Sequence, residues 1–516
     1  MDGGEFAKGM APSRRGFLAG AAGAALLPWA GSGARAGAFG PVGPIGPTPD
    51  LGEAAWRDLA RDLSGPVVRR ADFDSAKFNV LFNRRYDNIR PAGIAFCQSA
   101  EDVSKAIKWI VKHNVRFVGR SGGHSYAGYS TTDGLVLDLS AMNGGSFDRA
   151  TGIATVQAGS RNGQVYALLQ AANVAITHGR CPTVGVAGFL LGGGIGFNMR
   201  AHRVAVDQIQ SIEMVDAKGD TRILTALRDP DLFWANLGGG GGNFGIATKF
   251  ALRTFPVTTM TAFHLIWSGA PAELQRKFSA LMPSMTAAPD GFGSRIALQV
   301  KRVAGRNTIV IDLVGQYAGT RAQAEAILAP AGRPNALDDW RNNVPYWEAQ
   351  HFLEDTDQYG YFQERSAFLT RALPDEAIAR AIEFLLAWPG TGRISDPQNQ
   401  AGADLRFFQT GGQMNRVAAD ATAFVHRDSV WLMDSGLNWT ATDTRETIDE
   451  NLAWQNRFHE AMLPYSNRQA YQNFVDPSLT DFARAYYGTN LPRLSRIKRQ
   501  VDPGNLFQFA QSIPPA

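Results

Sequence analysis

Gly179-Arg180-Cys181-Pro182-Thr183-Val184-Gly185-Val186-Ala187-Gly188, running on to Gly192-Gly193-Gly194, sets one thiol among glycines. Upstream, Arg120-Ser121-Gly122-Gly123-His124-Ser125 sets an imidazole in the same kind of frame. Glycine has no Cβ, so its backbone can approach a ligand closely, and thiol and imidazole are both nucleophiles. Two such loops in one chain imply one ligand gripped at two places. Successive backbone N–H groups in a glycine-rich turn also form a concave nest that holds pyrophosphate. Arg120, Ser121, Gly122, Gly123 and Ser125 fit that role, and Gly238–Gly242 with Asn243-Phe244-Gly245 offers a second backbone approach. The glycines follow no βαβ unit with a spaced acidic residue, which disfavours a nicotinamide-type dinucleotide fold.

Working outward, 55 of the 516 residues are glycine, and they concentrate between 120 and 245, as tight turns about a ligand require. The length exceeds one compact core and implies two domains. With 51 basic and 47 acidic residues the net charge is +4, too balanced and too evenly spread to indicate nucleic acid or a membrane surface.

The N-terminus reads as an address. Ser13-Arg14-Arg15-Gly16-Phe17-Leu18 is a twin-arginine pattern, an apolar run follows from Ala19 to Ala30, and Ala34-Arg35-Ala36 supplies a cleavage site. Residues 1–36 are therefore expected to be an export signal, directing the folded protein to the periplasm or beyond, with 37–50 as a Pro/Gly linker. The apolar run is too short and too rich in Gly and Ala to span a membrane. Cys97, in Ile94-Ala95-Phe96-Cys97, reads as a small buried thiol; an exported protein also permits a disulfide with Cys181. Clustered metal-ligand spacing is absent, so no metal is expected.

Periodicity predicts a helix over 102–112 capped near Ser99, strands over 116–120, 134–139 and 153–157, and a helix over 163–172. A hairpin of 209–217 and 221–224, a helical turn at 231–235 and a strand over 244–253 complete a first domain, 51–257, with its core at about 87–257. From 258 the pattern changes to strands at 263–267, 296–300, 309–314, 405–408 and 430–433, with amphipathic helices at 273–281, 321–328 and 376–386 between them. This is a second domain, 258–464, of α+β type. A basic helix at 491–500 and the turn Asp502-Pro503-Gly504-Asn505-Leu506-Phe507 mark 465–516 as a return to the first domain.

The motifs in order are Ser121-Gly122-Gly123-His124-Ser125-Tyr126, Gly134-Leu135-Val136-Leu137-Asp138-Leu139-Ser140 and Cys181-Pro182-Thr183-Val184-Gly185. Asp231-Leu232-Phe233-Trp234, Gly241-Gly242-Asn243-Phe244-Gly245-Ile246, Ala421-Thr422-Ala423-Phe424-Val425-His426-Arg427 and Asp502-Pro503-Gly504-Asn505-Leu506-Phe507 follow. With these, the chain resembles the berberine bridge enzyme-like branch of the vanillyl-alcohol oxidase superfamily of flavoproteins, over nearly the whole mature length. The resemblance implies an α+β fold: a PCMH-type, two-subdomain FAD-binding domain plus a substrate domain with an antiparallel sheet covered by helices. It implies FAD bonded through His124 to the 8α carbon and through Cys181 to C6. It further places Gly185, Gly188, Gly193, Asn198, Gly242, Ile246, Asn473, Phe474 and Asn505 at the cofactor, and Val184 at the position that gates oxygen. The implied reaction is hydride transfer from a substrate C–H to flavin N5, with dioxygen regenerating the flavin and giving H2O2. The alternatives are a dehydrogenase using another acceptor and a flavin-binding protein without turnover. The substrate is a small molecule, with sugar hemiacetals, alcohols and amines all open.

The proton acceptor is where the chain departs from the pattern. Hydride transfer from a C–H next to a hydroxyl needs a base for the departing proton. The family's Tyr-x-Asn-Tyr motif is here Tyr471-Gln472-Asn473-Phe474, and Ile195 and Arg416 stand at two other positions where relatives carry a base. Tyr471 and Gln409 are the remaining candidates, Gln409 only to orient a hydroxyl. Arg406 or Arg416 is expected to lower the pKa of a phenol or to bind a substrate carboxylate. Glu364, Tyr361 and His264 are weaker candidates.

Overall fold

The computed structural model describes residues 51–72, 80–303, 305–355, 359–392 and 402–516. The export signal expected over 1–36 and the linker over 37–50 lie outside these residues. No helix among the described residues is long and apolar enough to cross a membrane.

The strands Gly93–Phe96, Leu135–Asp138 and Phe117–Arg120 run parallel, with Val67–Arg69 added antiparallel at one edge. The helix Ala100–His113 crosses from Gly93–Phe96 to Phe117–Arg120, and Leu135–Asp138 pairs between those two strands. Ser99 caps it by accepting from the Asp102 N–H at 3.1 Å, and Asn114 ends it in the left-handed region at φ 50°. Its Val103, Ala106, Ile107 and Ile110 recur at helical spacing and are buried. The strand Phe117–Arg120 feeds directly into the histidine loop, so that loop stands at the carboxyl end of a parallel strand.

A five-stranded antiparallel sheet follows, ordered Gly145–Asp148, Ile153–Gln157, Ile246–Arg253, Ile209–Val215, Thr221–Leu224. Its central strand leaves the second glycine run. One hydrophobic core joins both sheets, and residues from Ala470 to Ile513 belong to it as well. The C-terminal helix Leu491–Val501 is anchored there by Lys498, whose Nζ donates to Asn243 O at 2.7 Å, Phe507 O at 2.6 Å and the Asp502 carboxylate at 2.7 Å. A buried ammonium is tolerable only when so paired. Cys97 is buried and both cysteines are free thiols, so the disulfide alternative does not form.

The third sheet has seven antiparallel strands, ordered Leu337–Pro345, Thr259–Ser268, Arg306–Tyr317, Phe292–Val303, Ala403–Gln409, Trp431–Trp439, Tyr361–Leu369. One face carries Ile296, Leu298, Leu405, Phe407, Met433 and Leu437 into a second core under the helices Pro271–Thr286, Asp375–Leu386 and Arg445–Met462. Side chains alternate along a strand, so Arg406, Asp404 and Asp434 stand on the opposite face.

Candidate active site

A cleft of about 390 Å³ is lined by both glycine loops, the run Gly240–Gly242 and the C-terminal Phe507 and Phe509. That volume falls in the usual range for cofactor sites. The two loops meet backbone to backbone. A Cβ on Gly122 would lie 2.3 Å from Gly185 N, and one on Gly185 2.1 Å from Gly122 N. Only glycine fits at either position. The cysteine loop is pinned from behind, where Asn162 N–H donates to Val184 O, Gly163 N–H to Pro182 O and Val186 N–H to Ser160 O, each at 2.9 Å.

This packing converges the two nucleophiles. His124 Nε2 lies 2.8 Å from Thr183 Oγ1, and Cys181 Sγ lies 3.2 Å from the same oxygen. The His124 ring stacks on Phe82 with centroids 4.0 Å apart. Burial pushes the His124 pKa down to about 3, and the charge of Arg161 acts in the same direction. The imidazole is therefore neutral and keeps a lone pair at physiological pH. The glycine-lined wall, a backbone nest of the kind that holds pyrophosphate, suits FAD.

Ser121, Gly122, Gly123, Ser125, Val184, Gly185 and Gly188 line this cleft, as do Gly242, Ile246, Tyr471, Asn473 and Phe474. Arg120, Gly193, Asn198, Gln409 and Asn505 are outside its lining. Arg120 is buried in an ion pair with Asp138 at 2.8 Å, tying together adjacent parallel strands. Gly193, at φ 123°, packs where a Cβ would lie 2.6 Å from the Phe424 ring. Asn198 donates to the Tyr346 hydroxyl and accepts from Gln316 at 2.6 Å. Asn505 takes the left-handed φ of 49° in the turn that leads to Phe507. Gln409 accepts from Ser294 Oγ at 3.0 Å and donates to Met285 O, so both ends of its amide are engaged away from the cleft.

Tyr471 is fully buried, and its hydroxyl oxygen accepts from Gly194 N–H at 3.1 Å, Ile195 N–H at 3.4 Å and Asn473 Nδ2 at 3.1 Å. Burial raises its pKa to about 12 in spite of these donors. The phenol is protonated near neutrality, and its contacts brace the glycine loop. Phe474, in place of a second tyrosine, joins an aromatic wall, stacking on Tyr126 at 5.5 Å and tilting against Phe408 at 5.5 Å.

Beside that wall, Arg406 lines the cleft. Strand register sets Glu364 and Asp404 both opposite Gly436, and Arg406 opposite Asp434. The guanidinium donates to both Glu364 oxygens at 2.6 Å and to Asp404 at 2.9 Å, and Asp434 lies 3.7 Å away. Three carboxylates around one cation leave an excess of negative charge. Burial pushes Glu364 well above the carboxylate range and Asp434 up to about 6, with Arg406 opposing both shifts. The expected docking of a substrate carboxylate on Arg406 has no support in this charge balance. Arg416 is exposed, paired with Asp290 at 3.0 Å, and outside the cleft lining, while His264 is held by Asp312 at 2.9 Å. Thr183, Glu364, Asp404 and Asp434 lie behind the lining and reach the cleft through the side chains they hold, Thr183 through His124 and Cys181 and the carboxylates through Arg406; sequence reasoning missed Thr183, Asp404 and Asp434. Only the Cys181–Gly185 motif carried a signal, for Thr183.

Residues 91–225 match the FAD binding domain family and residues 470–514 the berberine and berberine-like family. With a cleft built of glycine backbone and two nucleophiles, fold and site define an FAD-dependent oxidoreductase. The chain is 31% identical over 466 residues to an FAD-linked oxidoreductase of Bacillus subtilis, covering 88% of this chain and 97% of that one. It is 30% identical over 495 residues to the xylooligosaccharide oxidase of Thermothelomyces thermophilus, covering 91% and 96%. The solved wild-type BBE-like 1 of Physcomitrella patens superposes with a TM-score of 0.78 at 26% identity, covering 89% and 99%. The chain belongs to the berberine bridge enzyme-like family of FAD-linked oxidoreductases, with its α+β, PCMH-type FAD-binding fold.

Proposed function

We propose that the protein is an exported oxidase whose FAD is bonded to both His124 and Cys181, and which oxidises an alcohol, sugar hemiacetal or amine with dioxygen as acceptor. The observation that carries this reading is the convergence of His124 and Cys181 on one hydroxyl at the end of a glycine-lined cleft. When bound, the flavin supplies the hydride acceptor and the route for two electrons to dioxygen. Residues 51–257 with 465–516 form the lobe that holds it, and 258–464 the lobe that presents the substrate. Val184, a small side chain in the cleft lining, leaves oxygen a path to the ring.

The chain's own residues do the rest. Tyr126, Phe408 and Phe474 offer flat apolar faces for a ring-bearing substrate. The acidic excess at Arg406 favours neutral or cationic groups over carboxylates. Asp434, beside Arg406 and raised only to about 6, is the group of this cluster suited to accept the proton released by a substrate hydroxyl or amine. Tyr471 holds the glycine loop at Gly194 and Ile195. Peptide mass mapping of the purified protein tests the tethers: flavin on the peptides containing His124 and Cys181 supports them, and a colourless acid precipitate refutes them. Oxygen uptake against a panel of alcohols, sugars and amines tests the acceptor. Dye reduction without oxygen uptake identifies a dehydrogenase instead, and a flavin that no substrate bleaches identifies a binding protein.

A further inference from the structure

We propose that Thr183 is the positioning residue that prepares both His124 and Cys181 for attachment to the flavin, by one orientation of its hydroxyl. The proposal rests on the two-bond reading above. The Thr183 hydroxyl has one hydrogen to donate and two lone pairs to accept with, and it touches Nε2 of His124 at 2.8 Å and Sγ of Cys181 at 3.2 Å.

Two arrangements make the hydroxyl the donor to one of these partners and the acceptor from the other. In the first, the hydroxyl donates to Nε2 and accepts from the thiol. The ring proton then sits on Nδ1, so that nitrogen has no in-plane lone pair, and the sulfur keeps its proton. Both nucleophiles are idle. In the second, Nε2–H donates to Oγ1 and the hydroxyl donates to sulfur. Nδ1 then carries the lone pair, and the thiolate gains a hydrogen-bond donor. Both nucleophiles are ready. Because the neutral ring has a single N–H, the two states exclude each other, and rotation of one hydroxyl with a shift of tautomer moves both side chains together.

The setting suits such precision. Thr183 O lies 3.0 Å from where a Cβ on Gly122 would sit, so the threonine backbone is pressed against the histidine loop. Its β-branched side chain has few χ1 choices. In each attachment the side chain loses its proton and a flavin carbon loses a hydrogen as the new bond forms. The two electrons and two protons so released pass to one dioxygen, giving H2O2.

The test compares wild type with Thr183→Val, which keeps the shape and removes the hydroxyl, and Thr183→Ser, which keeps the hydroxyl. Apoprotein from flavin-starved cells is mixed with FAD in air, and both linkages are followed by peptide mass. Wild type forming both bonds establishes the premise; wild type forming neither refutes the two-bond reading rather than the role of Thr183. With the premise met, Thr183→Val is expected to bind FAD reversibly while both bonds form at least about tenfold more slowly, about 1.4 kcal/mol in barrier. Thr183→Ser restores both. Raising the pH from about 7 to about 9, past an ordinary thiol pKa, rescues the cysteinyl bond in Thr183→Val but not the histidyl bond. Wild-type rates for both bonds in Thr183→Val overturn the proposal. Should that variant not bind FAD, Thr183→Ala, which leaves the loop more room, decides between the same outcomes.

Discussion

Among the described residues, Arg406 is the cation that pairs with Glu364, Asp404 and Asp434, and its loss would leave buried negative charge uncompensated. Breaking a buried pair from one side costs about 3–5 kcal/mol. Arg406→Met is therefore expected to lower stability by that order in urea unfolding; a change below about 1 kcal/mol would show that solvent already screens the cluster. Asp434→Asn acts in the opposite sense, since it removes part of the excess negative charge, and the fold should tolerate it with full flavin content. Its effect belongs to chemistry. If Asp434 takes the substrate proton, single-turnover bleaching of the flavin at neutral pH should slow by about 10²–10⁴-fold, the usual share of a general base. Unchanged bleaching by a substrate that reduces wild type would remove Asp434 from that role.

The contact between the two glycine loops is a property of elements: it needs a parallel strand to deliver one loop and a pinned strand–helix junction to deliver the other. Gly185→Ala puts a Cβ 2.1 Å from Gly122 N and 2.8 Å from Gly122 Cα, and backbone cannot rotate aside as a side chain can. Far-UV circular dichroism should be preserved while flavin content of the purified protein falls about tenfold, equivalent to about 1.4 kcal/mol of lost affinity. Full flavin content in that variant would show that the loops can part without harm. These loops were legible in the sequence because positive φ and close backbone approach leave a direct mark, glycine, at Gly122, Gly123 and Gly185. The helix at Ala100–His113 was legible for a similar reason, since its cap and apolar spacing are local. The strands Leu337–Pro345 and Tyr361–Leu369 were not. The first is an edge strand, LDDWRNNVP, with few buried side chains, and the second is buried on both faces, which hides period-two alternation. The helix Arg445–Met462 was missed because polar Asn451, Gln455 and His459 interrupt its buried face. Since Glu364 lies on a missed strand, its meeting with Asp404 and Arg406, which depends on long-range register, could not be read from the sequence.

Across the whole molecule, buried histidines set the response to acid. His178, His426 and His459 have pKa values pushed down by burial to about 4, about 4 and about 3. His178 shows why: Nδ1 donates to Gly179 O at 2.8 Å, and Nε2 accepts from the Tyr346 hydroxyl at 2.8 Å, an arrangement that a second ring proton would break. In the unfolded chain each ring takes a proton near pH 6.5. Below that pH the unfolded state binds protons the native state refuses, so the stability from these rings is complete above about pH 6.5 and is lost as pH falls towards 4 or 3. Asp434 works the other way: its pKa, raised to about 6, makes its contribution greatest in acid and diminishes it as pH rises from about 4 to about 6. Three rings oppose one carboxyl of that cluster, and Glu364, also raised, adds to the carboxyl side. At pH 5 each ring contributes a loss on the order of 2 kcal/mol, so the histidines prevail and the net slope is towards acid lability. The urea midpoint should accordingly fall between pH 6.5 and pH 4.5. His459 is the ring to remove, because its Nδ1 has no hydrogen-bond partner among the described residues. His459→Leu should flatten that slope while leaving the midpoint at pH 7.5 near wild type, and an unchanged slope would assign the acid response to other groups.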